Sequence, residues 1–250
     1  MILQERIVPG KPALFVEGQR KYLVVTDLHI GFESTLAANE IFLGKNTAIK
    51  ETIEELIEII DSKKPDSLIL LGDVKSSIKN ISKGEWNDVP LFFNKVKEKC
   101  EVILIPGNHD ANIQKLTPDG ISLISATGMV EEKVLFTHGH TMPSENISSI
   151  EKIIMGHIHP VFFQEDSVVN GQRVWISLKT NKENIFPSQS GEIEIIIVPS
   201  FNKYFYATNK RKYKKSISPI IEKIKNVTSA KIITLDGTII GNETILDHVI

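Results

Sequence analysis

The 250-residue chain is 41% apolar and 24% charged, a composition typical of a globular protein that can bury a sizeable core. Its net charge of −2 argues against a generally basic nucleic-acid-binding body, and its single cysteine, Cys100, excludes an intrachain disulfide. No apolar run approaches the roughly 18 residues of a membrane span, and Glu5 and Pro9 interrupt any N-terminal signal peptide. We therefore expect a cytoplasmic protein without a membrane segment.

The first half of the chain alternates predicted strands and helices. The strands PALFVEG and KYLVVTD are expected to pair through a turn at Gly18. Apolar residues three and four positions apart in NTAIKETIEELIEIIDSKK predict an amphipathic helix that begins at Asn46 or Thr47 and ends before Pro65. Strand DSLILLGD, helix GEWNDVPLFFNKVKEKC and strand EVILIPGNHD follow, and Pro90 leaves the start of that helix open. This alternation indicates an α/β layered fold.

After about Ile113 the pattern changes to strands with little helix between them. The stretches with strand character are GISLIS, KVLFTHG, KIIMGHIHP, QRVWISL and GEIEIIIVPSF. We interpret all five as a second sheet packed on the first. Further on, AKIITLDGTIIGNETIL predicts a small hairpin around Asp236 and Gly237. We expect one domain over residues 1–200, with residues 201–250 as a C-terminal extension packed on it.

Residues 203–215, in the stretch NKYFYATNKRKYKK, interleave basic with aromatic side chains and include no acid. Such a segment can follow a phosphate backbone and stack on bases. A solvated loop, or a flap that supports the fold, explains the same composition. The sequence leaves these interpretations open.

Side chains that bind metals follow the predicted strands at the point where each strand ends. In chain order they are Asp27, His29, Asp73, Asn108, His109, Asp110, His138, His140, His157 and His159. Six of the seven histidines lie in these few loops, which isolated structural histidines would not explain. Residues i and i+2 of a strand share a face, so Asp27 can converge with His29, and His157 with His159. Imidazoles with carboxylates suit zinc, manganese or iron.

The number of candidate ligands indicates two metal ions. A single structural zinc takes four ligands. Seven candidates are present, namely Asp27, His29, Asp73, Asn108, His138, His157 and His159. Two ions roughly 3.5–4 Å apart can hold a hydroxide and clamp both oxygens of an in-line displacement at phosphorus. We expect a carboxylate to bridge them, because two dications so close need a negative charge between them.

Five motifs, TDLHIG, LGDV, PGNHD, THGH and MGHIHP, resemble in this order those of the calcineurin-like metallophosphoesterases. The resemblance covers Tyr22 to Pro160 and implies an α/β fold, a four-layer α/β/β/α sandwich of two mixed sheets. It also implies the ligands: Asp27, His29 and His159 for the first metal, Asn108, His138 and His157 for the second, and Asp73 as the bridge. By the same resemblance His109 would contact the phosphate or protonate the leaving oxygen, and Asp110 would orient His109.

A finer resemblance involves LGDVKSSI, GHIHPVF and VPSFN. These stretches are similar to a branch that includes archaeal phosphoesterases and bacterial DNA-ligase-associated metallophosphoesterases. In that branch a histidine is expected after the lysine of GDVK, where this chain has Ser76, so a leaving-group contact there is in doubt. His140 matches no ligand of the family. We interpret it as a contact to a ligand or, with Asn108 and His109, to the substrate, and a surface residue is the alternative.

We therefore predict a phosphoesterase with two divalent metal ions. Manganese is the preferred metal, and iron, zinc and nickel are the alternatives. Its substrates would be nucleotide or nucleic-acid-end phosphodiesters, attacked by a metal-bridged hydroxide. The preference for diesters follows mainly from the resemblance. A phosphomonoesterase and a non-catalytic metal-binding scaffold are the alternatives. The sequence leaves the oligomeric state open.

Overall fold

A computed structural model describes residues 3–44, 47–145, 147, 149–204 and 218–249. Within these ranges the chain forms two mixed β-sheets and four α-helices, which confirms the predicted α/β fold of two packed sheets. Residues 205–215 of the basic-aromatic stretch 203–215 lie outside the described residues, and so does Asn46, one of the two predicted helix starts. No helix among the described residues combines the length and the apolar composition needed to cross a bilayer.

The first sheet contains six strands in the order β1-β2-β3-β4-β5-β6. These are β1 (Gln4–Ile7), β2 (Leu14–Glu17), β3 (Lys21–Val25), β4 (Ser67–Leu70), β5 (Glu101–Leu104) and β6 (Ile121–Leu123). β2 is antiparallel to β1 and β3, as predicted for its pairing with β3, whereas β3 to β6 run parallel. Val25, Leu70 and Leu104 are in register, so the loops that carry Asp27, Asp73 and Asn108 all leave the same edge.

The second sheet contains seven strands in the order β13-β12-β10-β11-β9-β8-β7. These are β7 (Met129–Glu131), β8 (Val134–Thr137), β9 (Lys152–Met155), β10 (Val174–Asn181), β11 (Glu192–Ile197), β12 (Val227–Thr234) and β13 (Ile239–Gly241). β8, β9 and β11 run parallel with Thr137, Met155 and Ile197 in register. The loops that follow these three strands therefore begin at one edge. The predicted C-terminal hairpin is β12 and β13, which extends the sheet beside β10.

One strand assignment was wrong. GISLIS forms β6, which pairs with β5 in the first sheet, with Ile121 opposite Val102. A strand of three residues carries no pattern that distinguishes one sheet from another. Its partner is set by the connection from β5, which includes the 3-10 turn Ile113–Lys115.

The helices and the sheets form the predicted layers. The helices are α1 (Glu33–Ala38), α2 (Thr47–Lys63), α3 (Lys83–Lys97) and α4 (Pro219–Lys223). α2 and α3 cover the outer face of the first sheet. Apolar side chains of both sheets, including Tyr22, Phe136 and Trp175, fill the space between them. α4 and the 3-10 turns Lys182–Asn184 and Glu243–His248 lie on the outer face of the second sheet.

Candidate metal centre

The loops that leave the two sheets bring the predicted ligands together. In a first group, one donor atom from each of Asp27, His29, Asp73 and His159 lies within 4.8 Å of the others. In a second group the same holds for Asp73, His138 and His157. The seventh residue, Asn108, places Oδ1 3.2 Å from His138 Nε2. Asp73 is common to both groups.

The donors of the first group face one another in a way that suits a cation. His159 Nε2 lies 3.0 Å from Asp27 Oδ1 and 3.4 Å from His29 Nε2. Asp27 Oδ1 is buried, and the ring nitrogen of His159 is its neighbour in place of water. Imidazole nitrogens and a carboxylate oxygen that converge at these distances are a donor set that a divalent ion accepts. The residues present therefore fit a metal.

Asp73 lies between the two groups. Its Oδ2 is 3.4 Å from His138 Nε2, 3.9 Å from His29 Nε2 and 3.9 Å from His109 Nε2. Its Oδ1 accepts a hydrogen bond of 2.8 Å from the backbone of His109, which fixes the carboxylate. The arrangement leaves Oδ2 available to both groups.

Backbone contacts orient the ligand side chains. His138 Nδ1 lies 2.6 Å from the carbonyl oxygen of Leu71. With the proton on Nδ1, a neutral ring presents the lone pair of Nε2 to the site. Asp27 Oδ2 accepts hydrogen bonds from Thr26 Oγ1 and from the backbone of His157, at 2.9 and 3.1 Å, which turns Oδ1 toward the donors.

The carboxylates of the site stay charged. Burial alone would raise the pKa of Asp27 and Asp73, but the neighbouring imidazoles outweigh it. His159 and His138 hold the pKa of Asp27 below its usual value, and His138 and His29 do the same for Asp73. The carboxylates of Asp27 and Asp73 therefore each offer an anionic oxygen at neutral pH.

Most of the histidines whose pKa is shifted are neutral at the same pH. Burial and the nearby His159 lower the pKa of His29 to about 3, and burial and His138 lower that of His157 to about 4. His138 is different: despite its burial, Asp73 and other acceptors raise its pKa to about 9. Without metal, an imidazolium thus supplies positive charge beside Asp73. Metal ligation requires the neutral imidazole.

The backbone is strained at the candidate ligands. Among the described residues, ten non-glycine residues have positive φ, and five of these are candidates: Asp27 (56°), His29 (45°), Asp73 (51°), His157 (70°) and His159 (51°). The left-handed region costs a non-glycine residue about 1–3 kcal/mol. Such strain persists where the surroundings enforce it, commonly at functional sites.

Gly107 is required because its loop passes directly over Asp73. A Cβ atom at Gly107 would lie 2.2 Å from Asp73 Oδ1 and 2.5 Å from Asp73 N. Gly107→Ala is therefore expected to displace Asp73 and lower kcat/KM for a phosphate ester by about 100-fold, the cost of a shift of about 1 Å in a positioned group. Gly84→Ala is the matched control, because a Cβ at Gly84 has room in α3. Equal activity of the two variants would contradict this interpretation.

His109 lies at the entrance to the site. Its side chain is 21% exposed, and its ring contacts the His29 ring edge to face, with centroids 4.9 Å apart. Nδ1 is hydrogen-bonded to the carbonyl oxygen of Ser76. This bond directs Nε2 toward Asp73 and the donors. His109 belongs to neither donor group.

Asp110 contacts backbone groups. Its Oδ1 accepts hydrogen bonds from the backbone of Val74 and Lys75, at 2.9 and 3.3 Å, and its Oδ2 accepts one from Gly107, at 2.8 Å. Burial and the charge of Asp73 raise the pKa of Asp110 to about 6. Asp110 thus ties the Asp73 loop to the loop of His109. The hydrogen bond of the His109 ring is to the carbonyl of Ser76, a group for which the sequence offered no expectation.

Lys75, another residue that the sequence analysis missed, is fully buried beside the site. Its amine donates to the carbonyl of Ser77, and burial lowers the pKa of this lysine. The backbone of Ser77 in turn donates to Glu85 Oε1 at 2.7 Å. These contacts fix the short loop whose Ser76 carbonyl orients His109. The sequence signal was a lysine directly after the LGDV motif.

His140 lies beside the second group. Its ring centroid is 5.2 Å from that of His138 and 6.1 Å from that of His157. Burial and His138 lower its pKa to about 4. His140 is half-buried, so it is not an isolated surface residue.

Two packed mixed sheets with imidazole and carboxylate donors at a shared edge define a metallophosphoesterase. The chain matches the calcineurin-like phosphoesterase family over residues 20–185, and it belongs to that family. It is therefore a hydrolase that acts on phosphate esters.

One solved structure shares the fold, and a second is reported beside it. The nuclease MPE of Pseudomonas putida is 17% identical, with a TM-score of 0.55, and the match covers 94% of this chain and 98% of that chain. The phosphoesterase Yfce from E. coli is 21% identical, with a TM-score of 0.43 and coverage of 90% and 98%. The likeness to the Pseudomonas putida structure extends through most of this chain, including residues beyond the family match.

Proposed function

We propose that the protein is a phosphodiesterase that hydrolyses nucleotide or nucleic-acid-end phosphodiesters. It would use two divalent metal ions, with manganese as the preferred metal. One observation carries the proposal: the two groups of donors share the buried Asp73. A single ion would need only one of these groups. A shared carboxylate is the group that two closely spaced dications require between them.

The donors divide between the two ions as follows. Asp27, His29 and His159 would hold the first, Asn108, His138 and His157 would hold the second, and Asp73 would be shared by both. This set of imidazole, carboxylate and amide groups suits manganese, iron, zinc or nickel. When bound, two such ions activate water and neutralise charge at phosphorus.

The side chains outside the donor groups act on the substrate. With Nδ1 bonded to the Ser76 carbonyl, His109 presents Nε2 to the phosphoryl group. A proton held at Nε2 passes to the leaving oxygen as the ester bond breaks. His140, beside the second group, contacts the substrate. Asp110 keeps the loops of Asp73 and His109 in register.

The preference for a diester over a monoester rests mainly on the family resemblance, because two bound ions would supply positive charge to either ester. Two cationic side chains beside the loops, Lys75 and Arg173, donate to backbone carbonyls, Lys75 to Ser77 and Arg173 to Ser200 and Phe201. The choice between the two esters is therefore decided by experiment.

The proposal is tested by turnover of bis-p-nitrophenyl phosphate against p-nitrophenyl phosphate. The enzyme is Mn²⁺-loaded wild type, and Asp73→Asn is the blank. We expect a higher kcat/KM for the diester, lost in the variant. A higher kcat/KM for the monoester would instead identify a phosphomonoesterase. No turnover of either ester by protein with two ions bound would identify a scaffold.

A further inference from the structure

The segment that follows β11, residues 198–202, lies against the loop that carries Asp27 and His29. The backbone of Phe201 donates to the carbonyl of Thr26 at 2.9 Å, and that of Asn202 donates to the carbonyl of Asp27 at 3.2 Å. The buried Ser200 adds a hydrogen bond of 2.9 Å from Oγ to the same Asp27 carbonyl. Residues 198–201, VPSF, were expected to continue the predicted strand GEIEIIIVPSF, but the strand ends at Ile197.

Asn202 makes the most extensive side-chain contact. Its Nδ2 donates to the carbonyl of Leu28 at 2.9 Å and to that of His29 at 3.4 Å. Its Oδ1 accepts a hydrogen bond of 2.8 Å from the backbone of Tyr204, which fixes the orientation of the amide. One side chain thus holds two successive carbonyls of the ligand loop.

The segment is itself held in place. Arg173 Nη1 donates to the carbonyls of Ser200 and Phe201, at 2.8 and 2.9 Å. Asn202 therefore acts from a fixed position.

These contacts fall where the backbone is strained. Asp27 and His29 both have left-handed φ angles, 56° and 45°. A loop released from its carbonyl contacts could relax to ordinary φ angles, and this relaxation would turn both side chains away from the donor group. The loops of His138 and His157 follow other strands, and the hydrogen bond from the backbone of His157 to Asp27 Oδ2 links them to this loop. The larger effect would therefore fall on the first group.

We propose that Asn202, supported by Ser200, is a positioning residue for the first metal site. It holds the carbonyls of Leu28 and His29, and it thereby keeps Asp27 and His29 directed at the ion. This inference rests on the two-metal centre proposed above. The contacts hold the backbone of the loop that carries Asp27 and His29. They therefore affect the affinity for the first ion more than that for the second.

The test is calorimetric titration of Mn²⁺ into the chelator-stripped full chain. Asn202→Ala is expected to weaken one of two Mn²⁺ sites by about 10–100-fold, the usual cost of losing a group that supports a ligand, and to leave the other unchanged. Asn184→Ala is the matched control. Asn184 is also half-buried, and its Nδ2 donates to Thr180 Oγ1 at 2.9 Å, near the opposite edge of the second sheet. Its loss is expected to change neither site.

The outcomes separate this inference from the metal centre itself. If wild type binds two Mn²⁺ ions and Asn202→Ala binds both as tightly, or loses both equally, the positioning role is refuted and the centre stands. If wild type binds no Mn²⁺, the centre fails as well. Circular dichroism establishes folding. Should Asn202→Ala not fold, Ser200→Ala decides, with a smaller weakening of the same single site expected and unchanged binding refuting the role.

Discussion

Asp73→Asn is expected to lower kcat/KM for bis-p-nitrophenyl phosphate by more than about 100-fold, the upper range for losing a group that only supports a ligand. The substitution keeps the size of the side chain and removes its negative charge. Asp73 Oδ2 lies within 4 Å of His29, His109 and His138, where the two donor groups meet, so the lost charge is one that both groups share. The loss corresponds to at least about 2.7 kcal/mol of transition-state stabilisation. Steady-state kinetics with saturating Mn²⁺ measures it.

Asp61→Asn is the control for this substitution. It makes the same chemical change at an exposed residue of α2, where Asp61 pairs with Lys99 at 2.9 Å. An exposed pair of this kind contributes at most about 1 kcal/mol to folding. Activity is therefore expected to stay at the wild-type level. An Asp73→Asn variant that keeps more than a tenth of wild-type activity would contradict the bridging role.

His109→Asn is expected to lower kcat by about 10²–10⁴-fold, the usual contribution of general acid catalysis, while two Mn²⁺ ions still bind. Asparagine keeps a donor for the Ser76 carbonyl and has no protonatable group. Because His109 lies outside both donor groups, the metal affinities should not change. Kinetics at saturating substrate and Mn²⁺ titration measure the two quantities separately.

The leaving group distinguishes proton donation from a simple phosphate contact. If His109 protonates the leaving oxygen, the loss in His109→Asn is larger for an alkyl leaving group than for p-nitrophenolate, which leaves without a proton. His248→Asn is the matched control, because His248 Nδ1 also faces a backbone carbonyl, that of Phe163, at 3.1 Å. An unchanged kcat, or the loss of a bound ion, in His109→Asn would argue against the acid role.

The candidate site could be predicted from the sequence where each residue lies directly after a strand that the sequence pattern identifies. Asp27, Asp73 and Asn108 each follow an apolar strand directly, and parallel strands in register bring their ends to one edge. The wrong assignment of GISLIS shows where local information ends, because three residues do not specify a partner strand.

The supporting residues could not be predicted in the same way. Ser76 orients His109 through its carbonyl, a group that every residue possesses, so its identity carries no signal. Asn202 contacts the carbonyl of His29 across 173 positions of sequence, and only the parallel alignment of β9 and β11 brings its segment to that edge. The contacts of Asp110 with three backbone groups likewise depend on how two loops cross.

The number of Mn²⁺ ions bound per chain tests the two-metal account most directly. Chelator-stripped wild type is dialysed against Mn²⁺, and bound metal is measured by mass spectrometry alongside turnover of bis-p-nitrophenyl phosphate at each concentration. The account predicts two ions per chain, with activity that rises as the second ion binds. Full activity with one ion per chain, or no bound Mn²⁺ in an active enzyme, would contradict it.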